Sequence, residues 1–146
     1  MSVTASLDIE LEKNVSPRTL ICLFSEIGWD YIDKRGEVFY LPLGDQDYDW
    51  QSEKISRAVF NNVVEKKTKN CETIGVSLFW KDSEIGVTLL IFQEKSFTVM
   101  ISINRKTLSE NSSSFSTDVN WYLQEIVVKL QAKGLPINGY TFSDHL

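Results

Sequence analysis

The chain has 146 residues, 42% apolar and 24% charged, which suits one autonomous domain and excludes disordered and collagen-like classes. Its 15 basic side chains against 20 acidic ones leave a net charge of −5. That balance argues against a nucleic-acid binder, whose affinity rests on neutralising phosphates with Lys and Arg.

Val3, Ala5, Leu7, Ile9 and Leu11 alternate with polar residues, the period of a half-buried strand. Ser16-Pro17 supplies an N-cap and a first-turn proline, and Leu20, Ile21, Phe24 and Ile27 then form an amphipathic stripe that Gly28 ends. Trp29 to Ile32 and Val38 to Leu41 flank a glycine-containing loop and read as a hairpin. A polar stretch from Gly44 leads into a second helix expected over 51–69, with Ile55, Val59, Asn62, Val63 and Lys66 on its inner face and edge. Lys66, Lys67 and Lys69 at its end read as the usual complement to the helix dipole.

Three β-rich runs follow, Thr73 to Trp80, Ile85 to Phe92 and Phe97 to Ile103, joined by short polar connections. They predict an antiparallel meander. Asn111 to Ser114 reads as a loop, and Ser116 or Thr117 as the cap of a last helix with the stripe Val119, Leu123, Ile126, Val127 and Leu130. Gly134 ends it, and Ile137 to Phe142 reads as a short closing strand. The expectation is a single α+β domain over 1–146, an antiparallel sheet with about three packed helices in the order β-α-β-β-α-β-β-β-α, with a final β. The first six elements match a ferredoxin-like start.

No secretory leader pattern opens the chain, and no run approaches the ~20 apolar residues of a membrane span. A cytoplasmic protein without membrane contact is expected, with Cys22 and Cys71 reduced. The sole histidine, His145, has no sequence neighbour suited to a nucleophilic site, and no glycine-rich phosphate loop is present. Asp45-x-Asp47-x-Asp49 opens like a calcium loop, but Trp50 and Ser56 stand where an EF-hand needs Gly and Glu. The chain is therefore expected to work without catalysis, cofactor or metal.

Charge distribution carries the functional signal. Residues 1–53 hold eleven acids and four bases, whereas residues 54–146 have a net charge of +2. Between Gly44 and Glu53 four acids, Asp45, Asp47, Asp49 and Glu53, interleave with Tyr48 and Trp50 and with no base. Acids among aromatic anchors suit recognition of a basic protein partner. The competing reading is a solvated loop in which Asp49 caps the second helix.

Across Gly28-Trp29-Asp30-Tyr31, Gly36, Tyr40-Leu41-Pro42-Leu43-Gly44-Asp45 and Asp49-Trp50 the chain resembles small immunity proteins of bacterial contact-dependent growth-inhibition and polymorphic-toxin systems. The resemblance covers about one-sixth of the chain and includes no catalytic motif. It implies a cytoplasmic, monomeric inhibitor that occludes the active site of a basic toxin C-terminal domain, commonly a nuclease. The alternative is a type III secretion chaperone, also small and acidic. Those open with a helix, whereas this chain opens with a strand pattern.

Overall fold

The computed structural model describes residues 4–93, 95–108 and 116–145. Its strands are β1 (Thr4–Leu11), β2 (Trp29–Asp30), β3 (Val38–Tyr40), β4 (Gln51–Glu53), β5 (Ile74–Trp80), β6 (Gly86–Gln93), β7 (Ser96–Ile103) and β8 (Ile137–His145). The helices are α1 (Pro17–Glu26), α2 (Arg57–Lys69) and a last helix in three contiguous parts. Those parts are α3 (Val119–Tyr122), a π-helical segment (Leu123–Val128) and α4 (Lys129–Ala132). The mixed α+β, antiparallel architecture is the expected one.

The sheet runs β4-β3-β5-β6-β7-β1-β8, with β2 pairing β5 beside this path. The meander β5-β6-β7 forms as its three β-rich runs dictate. β1 then inserts between β7 and β8, placing Leu7 opposite both Val99 and Phe142. That pairing departs from a ferredoxin-like arrangement.

Period-2 alternation sends Leu7, Ile9, Val76, Leu78, Val87, Leu89, Ile91, Phe97 and Val99 into one buried layer. The helices cover that face. Phe24 of α1 meets Phe97 edge-on at 6.0 Å, Phe60 of α2 packs on Tyr31 and Tyr40, and Trp121 meets both Trp29 and Trp80. The other face carries Ser6, Asp8, Ser77, Thr88, Thr98 and Met100, with no helix over it among the described residues.

Three local expectations are corrected. Residues 51–53 form an edge strand on β3, and the second helix starts only at Arg57. Its N-cap is Ser56, whose hydroxyl accepts from the Val59 N–H at 3.1 Å, so Asp49 is not the cap of this helix. The buried face is consequently Phe60, Val64 and Lys67, while Val59 is exposed.

The expected hairpin is a split strand instead. β2 and β3 both run antiparallel to β5, opposite Trp80 and Val76 respectively, with one bridge (Ile32 to Val38) closing the excursion between them. Asp33 organises that excursion, its carboxylate accepting from the Arg35 and Glu37 N–H groups.

In the last helix the cap is Asp118, not Ser116 or Thr117. The Glu125 carbonyl, inside the π-helical segment, accepts from the Trp29 indole at 3.2 Å. That hydrogen bond ties the wide turn to β2. The turn brings Tyr122 inward beside Ile126, Val127 and Leu130, leaving Val119 and Leu123 half-buried. The loop expected at Asn111 to Ser114 lies outside the described residues, as does Val3.

Two predictions follow from these contacts. Ser56→Ala should cost about 1 kcal/mol in urea unfolding, while Asp49→Ala should leave stability within about 0.5 kcal/mol of the parent. Tyr122 is fully buried, and burial raises its pKa above 10.0. The unfolded chain therefore ionises first, so stability present below pH 10 should be lost as pH rises toward the folded-state pKa. Thermal melts on either side of pH 10 should show a steeper alkaline loss for the parent than for Tyr122→Phe.

Candidate protein-binding surface

The acidic segment between β3 and β4 is fixed from below by a buried cation. Phe60, Val64 and Lys67 fall at i, i+4 and i+7 on α2, so the helix that buries the first two carries Lys67 inward with them. Lys67 is 1% exposed, and its Nζ donates to the carbonyls of Pro42 at 2.7 Å and Leu41 at 3.2 Å. The Glu72 carboxylate lies 3.7 Å away and accepts from the Gly44 N–H at 2.7 Å. Burial pushes the Lys67 pKa down, while Glu72 and then Asp45 favour its charged form. A buried ammonium is tolerated only with such partners. The network clamps residues 41–44 to the end of α2.

Above the clamp the loop satisfies itself. The two oxygens of Asp45 accept from the N–H groups of Tyr48 at 3.0 Å and Asp49 at 2.7 Å. The tight turn holds Tyr48 at φ 56°, a left-handed conformation uncommon outside glycine. Trp50 then stacks on Phe39, with centroids 5.3 Å apart.

Gly75 of β5 makes room for this closure. A Cβ there would sit 2.7 Å from Trp50 Cη2 and 2.8 Å from a Leu41 methyl. The absent side chain lets Trp50 and Leu41 lie directly on the sheet.

The six residues singled out from sequence thus divide by role. Asp47, Tyr48 and Asp49 are exposed, and neither Asp47 nor Asp49 has a hydrogen-bond partner for its side chain among the described residues. Tyr48, at 52% exposure, is the most accessible aromatic of the group. Asp45 and Trp50 are only partly exposed and hold the loop in shape.

Glu53 stands apart. Its register opposite Val38 puts it on the helix-covered side of β4, where it accepts from the Tyr40 hydroxyl at 3.1 Å. Exposed Leu43 and Phe39 border the acidic tip, adding apolar area that the sequence reading missed. Beside the tip, residues between Pro42 and Gln51 line an open depression of about 330 Å³.

Elsewhere, an apolar hollow of about 320 Å³ lies against Ile32, Phe79 and Ile103 at the β5–β6 turn. The hydroxyl of Ser83 there is committed to the turn, donating to the Trp80 carbonyl and accepting from the Ile85 N–H. Cys22 and Cys71 are both exposed and unbonded. Among the described residues no group of His, Cys, Asp or Glu is arranged to hold a metal, and no helix is long and apolar enough to cross a membrane.

No protein-family model, curated protein or solved structure gives a match to this chain.

The clamp makes a direct prediction. Lys67→Met keeps the apolar stem but strands two carbonyls and Glu72, so it should destabilise the fold by about 3 kcal/mol in urea unfolding. A cost near zero would mean that the loop is held by Asp45 and Trp50 alone.

Proposed function

We propose that the protein is an immunity-type inhibitor that binds a basic toxin domain in the cytoplasm and blocks its active site. The observation that carries this reading is the tip Asp47-Tyr48-Asp49, exposed on a loop whose two ends are clamped by Lys67 and by the Trp50–Phe39 stack. A loop already ordered before binding loses little conformational freedom on association. Unpaired carboxylates around an exposed tyrosine give charge for steering and an aromatic anchor for residence. The resemblance of the Gly28–Trp50 region to immunity proteins and the acidic bias of residues 1–53 support the same reading.

Within it Asp47 and Asp49 steer, Tyr48 anchors, and Asp45 and Trp50 keep the tip in shape. Glu53 extends the negative field along β4.

The experiment pairs the chain with the protein encoded by the adjacent reading frame. Co-expression should rescue growth from that protein's toxicity, and the two should purify as a complex. Asp47→Lys with Asp49→Lys should slow association roughly tenfold or more at low salt and flatten its salt dependence. Tyr48→Ala should weaken binding by about 2 kcal/mol, chiefly through faster dissociation. Unchanged kinetics in both variants, with their melting temperatures intact, would remove this surface from the interface.

A further inference from the structure

The two edges of the sheet are built differently. β4 is three exposed residues ending in Glu53, a short and charged edge of the kind that discourages further pairing. β8 is nine residues long, contains no Lys, Arg or Pro, and pairs with β1 alone among the described residues. Alternate backbone N–H and C=O groups of β8 therefore face outward with no strand partner among the described residues.

On the core side of β8, Phe142 packs against the core while Tyr140 is left exposed. Tyr140 and Phe142 stand opposite Ile9 and Leu7, on the face that the helices cover. Yet Tyr140 is 49% exposed where Ile9 is 1% exposed, because the helix layer stops short of this strand. Among the described residues, the strand thus carries an exposed aromatic on the core side and an unpaired edge together.

We propose that β8 is the seam of a non-obligate, two-fold homodimer in which β8 of a second copy adds antiparallel to it. Side-chain complementarity of β8 with itself favours this occupant. With the two-fold axis at Thr141, Tyr140 lies opposite Phe142 of the second copy, twice, and Gly139 lies opposite Ser143. Facing residues share a face, so the aromatic pairs extend the buried layer across the seam. No charged residue opposes a like charge in this register. The nearby Asp144 carboxylate is already held by the N–H of Thr117 at 2.8 Å and its hydroxyl at 3.0 Å.

The irregularity in the β1–β8 ladder falls between Ile137 and Gly139, outside the paired stretch. Because each core closes within one chain, the pair forms with concentration rather than with folding. This departs from the monomer expected from sequence. The acidic loop lies toward the opposite sheet edge, so each copy keeps its own binding surface free.

The test is sedimentation velocity on the 146-residue chain over a dilution series, with Thr141→Lys at the seam and Ser52→Lys at the other edge. The parent should shift toward twice its 16.7 kDa mass as concentration rises. Thr141→Lys should weaken that association at least tenfold and Ser52→Lys should leave it unchanged. In a Cys22→Ser, Cys71→Ser background, Thr141→Cys should cross-link to itself on mild oxidation, which decides the matter even if the lysine variant folds poorly. A chain monomeric at every concentration overturns the proposal, as does a dimer indifferent to Thr141→Lys that fails to cross-link. Protection of β8 amides only when the adjacent-frame protein is added would assign the edge to that partner and likewise overturn it. Failure here leaves the toxin-binding reading standing, since that rests on the loop at the far edge.

Discussion

A buried ammonium group organises the functional end of this molecule. Lys67 reaches the underside of the β3–β4 connection from α2 and gathers two backbone carbonyls and one carboxylate around a single charge. The arrangement is costly to take apart, because removing any partner leaves a buried polar group unmatched. It fixes where β3 ends and orders residues 41–44 through Glu72 and Gly44. The acidic tip is then a projection from a fixed base.

The sheet supplies the second constraint. Gly75 leaves β5 bare at the point where Trp50 and Leu41 settle, so the loop closes onto the strand surface itself. Trp50 thereby joins the acidic loop to β4 and to the exposed Phe39. Sequence position puts Trp50 among the acids, but packing makes it a buttress. Tyr48, turned by its left-handed backbone, is the aromatic left for a partner. Acids and aromatics that look equivalent along the chain are in this way divided between holding the loop and presenting it.

Strong periodicity made much of the fold legible. The alternation in β1, the three β-rich runs of the meander and the Ser16-Pro17 start of α1 each appear where pattern and capping place them. Misreadings arose where tertiary contacts outrank local preference. Gln51–Glu53 has no strand-forming composition and is a strand only because β3 lies beside it. Read as helix, it displaces the cap to Asp49 and rotates the inner face of α2, which hides Lys67 among lysines that complement the helix dipole. The spacing Phe60, Val64, Lys67 was the available signal. β2 pairs with β5, and β3 joins β5 through Tyr40 opposite Val76, a partner more than thirty residues away that a local hairpin reading cannot see. At the site, the grouping of acids with Tyr48 and Trp50 was legible, whereas the split between supporting and exposed residues depends on Gly75, Phe39 and Glu72, all outside the segment.

Amide hydrogen exchange of the free protein tests the central claim, a loop ordered before any partner arrives. The N–H groups of Gly44, Tyr48 and Asp49, each held by a carboxylate, should exchange well below random-coil rates, and those of Gln46 and Asp47 should exchange fast. Random-coil exchange at Gly44, Tyr48 and Asp49 together would contradict the account, since the tip would then be ordered only by binding.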